Sequence, residues 1–312
     1  MSQKKIAALA ETAGFELPSV YNASRLLWDN LPQRGQNLAV LSDSGSWTYQ
    51  DLAYEASRVG NCLLESGCLV GDRVLLFMDD EPAYPAAIMG SMRAGLVPVL
   101  INTLSPPDLI QFYLEDSSAT AAVVSSDFAN LFQASTSNNS KCKTVLVSDP
   151  SNQPWSKFST ELLEQLTQRQ DMAFWMYSSG STGRPKGVVH KHEDAAYTAA
   201  TYAKDILKIG EDDICFSVPK IFFAYGFGNS ITFPFSVGAA SVLLSGRPEP
   251  VGIFEHIRRH KPTLFFGLPT LYTALSHHEA ADEADFSSVR LCLSAAEVLS
   301  EDIASAWRGR FG

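Results

Sequence analysis

Residues 177–187 read Tyr-Ser-Ser-Gly-Ser-Thr-Gly-Arg-Pro-Lys-Gly and concentrate the groups that hold a polyphosphate. Gly180, Gly183 and Gly187 let a backbone approach a ligand closely and take positive φ. Successive backbone N–H groups in such a turn form a concave anion site. Ser178, Ser179, Ser181 and Thr182 add hydroxyl donors, and Lys186 adds a positive point charge of the kind phosphate attracts. The apolar run 173–176 leads in and Val188-Val189 leads out, so the stretch reads as a buried strand ending in a loop. It is not a Walker A loop, because Lys186 follows Pro185 and precedes Gly187 instead of standing between a glycine and a hydroxyl residue. A solvated Gly/Ser linker would not carry Arg-Pro-Lys-Gly between two apolar runs.

Three other stretches carry candidate groups. Residues 220–229 form an aromatic run interrupted by glycines. Phe222 reads as core, while Ala224 and Gly226 flanking Tyr225 leave a surface on which a flat ligand could lie. Residues 265–270, Phe-Phe-Gly-Leu-Pro-Thr, read as a strand running into a turn at Gly267. Ser294-Ala295-Ala296-Glu297 follows an expected strand at 289–293, and a loop at a strand's carboxyl end can meet a ligand.

The 177–187 stretch resembles the signature loop of the adenylate-forming enzymes, a family that includes acyl-CoA synthetases, luciferases and peptide-synthetase adenylation domains. Lys220-Ile221-Phe222-Phe223-Ala224-Tyr225-Gly226 resembles the Lys-x-Phe-Phe-Ala-Tyr-Gly segment of the benzoate–CoA ligase branch. The resemblance covers about 21–312. It implies an α/β fold with the two sheet-and-helix subdomains of that family's large N-terminal domain, the small C-terminal domain being absent. By the resemblance, Ser179, Gly180, Ser181, Thr182, Gly183 and Lys186 cradle the β- and γ-phosphates of ATP, with Thr182 and Lys186 in catalytic roles. Ala224, Tyr225 and Gly226 line an aromatic-acid pocket. Gly267 faces that pocket, a plain turn being the equal alternative. Ser294, Ala295, Ala296 and Glu297 pack against adenine. The family usually reads Ser-Ala-Gly-Glu here, so the extra methyl of Ala296 either tightens the adenine slot or is accommodated.

The activity so implied is ATP-dependent activation of a benzoate-like acid to an acyl-adenylate, then transfer to coenzyme A as a thioester. Mg2+ would accompany ATP, and no metal-ligand spacing is evident in the chain itself. The later segments that this family uses for magnesium, ribose and the reacting carboxylate are not in these residues. The 312-residue chain is therefore expected to bind ligands without efficient turnover. Two alternatives stay open: an adenylating enzyme for a fatty acid or amino acid, and a non-catalytic module that binds acid and nucleotide.

The elements that must position these groups follow from pattern. Apolar residues make up 46% and charged residues 19% of the chain, which excludes a disordered segment. The length suggests two subdomains, placed at 1–172 and 173–312. Strands are expected at 46–49, 74–78, 97–101, 121–124, 144–147, 214–218, 241–244, 263–266 and 289–293. Helices are expected at 23–31, 51–64, 82–94, 197–207, 253–260 and 271–275, with Ser105 capping another and Ser300 a last one. Alternation of apolar strands with helices implies parallel sheets covered on both faces.

The net charge of −10 argues against nucleic acid or an anionic membrane as partner. The partners expected are small molecules: aromatic carboxylate, ATP and coenzyme A. Oligomeric state is open, a homodimer included. Cys62, Cys68, Cys142, Cys215 and Cys292 are scattered, without C-x-x-C spacing, which fits a reduced compartment. Cys215 and Cys292 read as core. His190 and His192 read as local packing or polar contacts, and His277-His278 as an exposed helix end. No run approaches the ~20 apolar residues that span a bilayer, and the expected location is the cytoplasm.

Overall fold

A computed structural model describes residues 15–136, 141–178 and 183–312. The strands, in chain order, are β1 (Leu38–Ser42), β2 (Gly45–Thr48), β3 (Arg73–Phe77), β4 (Val97–Leu100), β5 (Ala121–Ser125), β6 (Thr144–Ser148), β7 (Met172–Ser178), β8 (Lys186–Lys191), β9 (Ile214–Ser217), β10 (Ala240–Val242), β11 (Leu264–Gly267) and β12 (Leu291–Ser294). They form two six-stranded sheets. The first has the order β6-β5-β3-β4-β7-β8, and the second β12-β11-β9-β10-β1-β2. Each is parallel except for one antiparallel edge strand, β8 in the first and β2 in the second.

Central strands such as β4 and β5 are buried at every position, as expected for parallel strands covered on both faces. The edge strand β8 is exposed over Lys186, Gly187, Val188 and Val189, so the expectation of coverage on both faces fails there. The helix Tyr49–Glu65 starts on a capping box in which Thr48 and Asp51 exchange side-chain-to-backbone bonds. It packs on the helix Ala83–Arg93 over the first sheet's core.

The sheets interleave along the chain. β7 pairs with β4, and β8 with β7, in the first sheet, whereas β1 pairs in parallel with β10 in the second, Val40 opposite Ser241. The boundary expected at 172/173 therefore cuts the first sheet and does not separate the two. Chain order misleads here because the β1–β10 pairing joins residues about two hundred positions apart, beyond the reach of any local pattern.

Smaller corrections also have local causes. The helix 107–117 begins after Pro106, which supplies no side-chain cap, and the expected cap Ser105 is buried. The helix expected at 197–207 starts earlier, at His192, and continues as a π-helix over Ala199–Lys204. Ser300 does cap Glu301–Phe311, its Oγ accepting from the Ile303 N–H. Cys215 is buried, but Cys292 lies exposed on the edge strand β12 and is not core. No helix among the described residues is long and apolar enough to cross a membrane.

Candidate functional site

The carboxyl ends of β9, β11 and β12 gather one group of the expected residues. Gly267 closes β11 directly opposite Ser294 at the end of β12. A Cβ on Gly267 would stand 3.0 Å from the Tyr272 ring, whose hydroxyl donates to the Leu293 carbonyl at 2.7 Å. The glycine thus lets the helix Pro269–Ser276 close onto the strand ends. Tyr225 comes to the same place from the short helix Ala224–Phe227, its ring edge-on to Phe266 with centroids 6.3 Å apart. Burial pushes the Tyr225 phenol pKa well up, so the hydroxyl stays protonated.

Gly226 has a specific steric reason. A Cβ there would collide with the carbonyl oxygens of Pro219 and Lys220. The turn between β9 and the helix folds back on itself at that point, and only glycine fits. Ala224, by contrast, is exposed and lines a cavity of about 180 Å³. Phe174 and Met176 of β7, Phe227 and Phe233 form its apolar walls, and His190, Asp194, Thr198 and Thr232 supply polar edges. The three residues expected to act together are thus divided. Ala224 faces this cavity, Tyr225 packs on Phe266, and Gly226 shapes the turn.

Ser294, Ala295, Ala296 and Glu297 follow β12 as expected. Ala296 takes φ +69°, the left-handed region. The glycine usual in this motif is thereby explained, since an L-residue there costs about 1 kcal/mol or more. Ala296 therefore stands against backbone preference. The Ser294 hydroxyl is buried and makes no hydrogen bond among the described residues.

The phosphate-loop candidates sit on the other sheet. Ser179, Gly180, Ser181 and Thr182 lie outside the described residues. Gly183 has φ +94° and an open Cβ position. Lys186 opens β8 opposite Ser178, and its side chain is exposed. Strand β8 makes the 179–185 connection a hairpin between antiparallel strands, where the strand-then-helix pattern had suggested a simple strand end. At its root Tyr177 donates to Asp116 at 2.8 Å, and the Arg184 guanidinium lies 5.5 Å from the centre of the Phe112 ring. No hydrogen bond or ring contact among the described residues joins Lys186 to Tyr225, Gly267 or Ser294. The two groups are linked lower down, where Phe174 of β7 packs on Phe227 of the acid-segment helix, centroids 4.5 Å apart.

His192 anchors the chain after the hairpin. Its Nδ1 accepts the Ala23 N–H at 2.9 Å, and burial pushes its pKa down to about 4. The contact is polar but not local, since its partner lies 169 positions away in sequence.

A larger cavity of about 690 Å³ opens between the two sheets. Asn102 and Leu104 border it from the first sheet, and Lys220, Phe223, Arg247 and Leu268 from the second. Sequence reasoning missed it, because its walls come from loops that are remote along the chain. Among the described residues no three His, Cys, Asp or Glu side chains are placed to hold a metal.

Two interleaved, mostly parallel six-stranded sheets thus carry the β7–β8 pair and the small apolar cavity at Ala224. The AMP-binding enzyme family matches residues 27–312, and the chain belongs to that family. It is 38% identical over 305 residues to the benzoate–CoA ligase of Thauera aromatica, covering 95% of this chain and 58% of that protein. It is 35% identical over 289 residues to the 4-hydroxybenzoate–CoA/benzoate–CoA ligase of Rhodopseudomonas palustris, covering 89% of this chain and 53% of that protein. Among solved structures, an anthranilate CoA ligase in complex with anthranoyl-AMP superposes with a TM-score of 0.91 at 32% identity, over 95% of this chain and 59% of that one. A benzoate CoA ligase from Burkholderia xenovorans LB400 gives 0.86 at 34% identity, over 94% and 59%. The chain spans somewhat more than half the length of these relatives.

Proposed function

We propose that the protein activates an aromatic carboxylic acid with ATP and passes the acyl group to coenzyme A. The observation that carries this is the cavity at Ala224, walled by Phe174, Phe227 and Phe233. Its volume and flat apolar walls suit one aromatic ring. Names of relatives that act on benzoate, hydroxybenzoate and anthranilate point the same way.

In this scheme the acid's carboxylate attacks the α-phosphate of ATP, giving the acyl-adenylate and pyrophosphate. The thiolate of coenzyme A then displaces AMP. The chain's own groups bind and orient. Gly183 and Lys186, with Ser179, Gly180, Ser181 and Thr182, hold the departing phosphates, and donors placed there stabilise the charge that grows on pyrophosphate. Ser294, Ala295, Ala296 and Glu297 hold adenine, and the unpaired Ser294 hydroxyl gives that loop a polar atom for a ligand to satisfy. Ala224 accepts the ring, Gly226 shapes the turn that carries Ala224, and Tyr225 and Gly267 pack at the neighbouring strand ends. Mg2+ would travel with ATP and offset phosphate charge, and no residue of this chain is assigned to it. The 690 Å³ cavity reaches Phe223, next to Ala224, and carries Arg247 at its rim. That makes it the candidate route for the coenzyme A arm. A supply of ATP and coenzyme A suits a cytoplasmic enzyme.

The acid class is tested by calorimetric titration of the 312-residue chain with benzoate, 4-hydroxybenzoate, anthranilate and hexanoate. An aryl acid should bind at least about tenfold tighter than hexanoate, roughly 1.4 kcal/mol. A preference for hexanoate would overturn the assignment.

A further inference from the structure

Two adjacent carboxylates just beyond β3 of the first sheet reach across to the second sheet. Asp79 accepts from the Lys220 Nζ at 2.8 Å and from the Gly246 N–H. Lys220 also donates to the Leu244 carbonyl, and its side chain is only 12% exposed. Asp80 is buried, and its carboxylate accepts from the Ile221 N–H at 3.2 Å. Its backbone carbonyl accepts from Ser245 Oγ at 2.9 Å. The pair therefore grips both connections that leave the second sheet, after β9 and after β10.

The grip continues to the acid cavity through the backbone. The Phe223 N–H donates to the Lys220 carbonyl at 3.0 Å. Gly226 packs so closely on the Pro219 and Lys220 carbonyls that no side chain fits. A shift of Lys220 must therefore move Ala224, which lies between those two contacts.

We propose that Asp79 and Asp80 are positioning residues for the acid-binding turn: acting through Lys220 and the Ile221 and Gly246 amides, they fix residues 219–226 against the first sheet and so set the affinity for the acid. The link to affinity rests on the assignment of an aryl acid to the Ala224 cavity. A buried ion pair is weak evidence of stability alone, since desolvation offsets its attraction. What this one supplies is geometry, because each carboxylate holds a loop of the opposite sheet.

The charged and titratable groups facing Asp80 are Lys220, Asp79 and the buried Tyr84 phenol. Burial, reinforced by Asp79, pushes the Asp80 pKa up to about 7, with Lys220 and the Ile221 N–H opposing. The ionised form grips Lys220 and Ile221 more strongly, so the turn should be held better above neutrality.

The test uses Asp79→Asn, Asp80→Asn, Asp79→Glu and Lys220→Met in the 312-residue chain. Benzoate and ATP affinities are measured by calorimetry, and hydrogen exchange is followed over 219–228. Asp79→Asn and Lys220→Met should weaken benzoate at least about tenfold while ATP changes less than about twofold. Exchange should rise over 219–228 and stay unchanged in the helix Tyr49–Glu65. Asp79→Glu should recover part of the loss. Wild-type benzoate affinity should rise between about pH 6 and about pH 8, where benzoate itself stays ionised, and Asp80→Asn should flatten that profile. Unchanged benzoate binding, or equal loss of benzoate and ATP with exchange raised throughout, would overturn the proposal. If the folded wild-type chain binds no benzoate, the aryl-acid assignment falls instead. The exchange at 219–228 then still decides whether the carboxylates hold the turn, and unaltered protection in Asp79→Asn and Lys220→Met overturns it.

Discussion

The phosphate hairpin and the acid turn are both glycine-bearing loops, yet they are held in opposite ways. The acid turn is pinned from below by Asp79 and Asp80 and closed on itself at Gly226. Among the described residues the β7–β8 pair is held at its root by Tyr177 on Asp116 and by His192 on Ala23, and Lys186 stands exposed on an edge strand. The difference matches the roles proposed for the two regions. A flat apolar ring is discriminated by shape, which asks for rigid walls, whereas a phosphate is held by charge and backbone donors. Specificity for a rigid apolar ligand is accordingly modest, worth roughly 1–3 kcal/mol per methylene.

Substitutions should separate the two regions. The largest effect is expected from Gly226→Val. Forcing a side chain onto the Pro219 and Lys220 carbonyls should lower stability by about 1–3 kcal/mol and abolish benzoate binding. Thermal melts and calorimetry report both, and a variant that still binds benzoate would show that the turn is not rigid.

Next comes Lys186→Ala. It removes the proposed phosphate partner, so ATP should weaken about tenfold or more, with benzoate nearly unaffected. Equal loss of the two ligands would erase the distinction between the regions.

The third effect is a pH slope. Asp80 belongs to the acid side, and its raised pKa means that the folded state keeps a proton the unfolded state has released between about pH 4 and 7. Its contribution to stability therefore falls as pH rises through that window. His192 belongs to the hairpin side, and its lowered pKa, with Asp171 and Glu164 facing it, acts in the opposite sense. Its contribution is present above about pH 6.5 and is lost as pH falls toward 4. The two slopes offset each other in the wild type. In Asp80→Asn the opposing Asp80 slope is removed, and the melting temperature should drop more steeply on acidification than in the wild type. A pH–melting profile parallel to the wild type would contradict this assignment.

The smallest effect is expected from Ala296→Gly. Relief of the left-handed backbone at Ala296, less the greater freedom of the unfolded glycine, should stabilise by about 0.5–1 kcal/mol. A denaturant titration that shows destabilisation would mean that the methyl contributes packing.

Much of this was legible in the sequence, for reasons that can be named. β3, β4 and β5 are short apolar runs bounded by turns and helices, so their positions were readable. The 177–187, 224–226 and 294–297 stretches stand out in the sequence as candidates because their distinctive residues are compressed into a few consecutive positions. What escaped depends on distance in the chain. β1 lies with β10, and the two cavities take their walls from several elements. Asp79 and Asp80 carry no motif, and their role emerges only when Lys220 is placed beside them. Val188 and Val189, which suggested burial, are about 40% exposed on β8. Ala296 was visible as a departure from its family motif, but only the backbone angle explains why glycine is usual there.

The most direct measurement is a calorimetric titration of benzoate into the folded chain and into Ala224→Trp, each followed by ATP with magnesium. If the Ala224 cavity holds the aryl ring, the wild type binds one benzoate per chain, Ala224→Trp binds none, and both retain ATP. Benzoate binding of equal strength in the two proteins would contradict the account, as would its absence from a folded wild type.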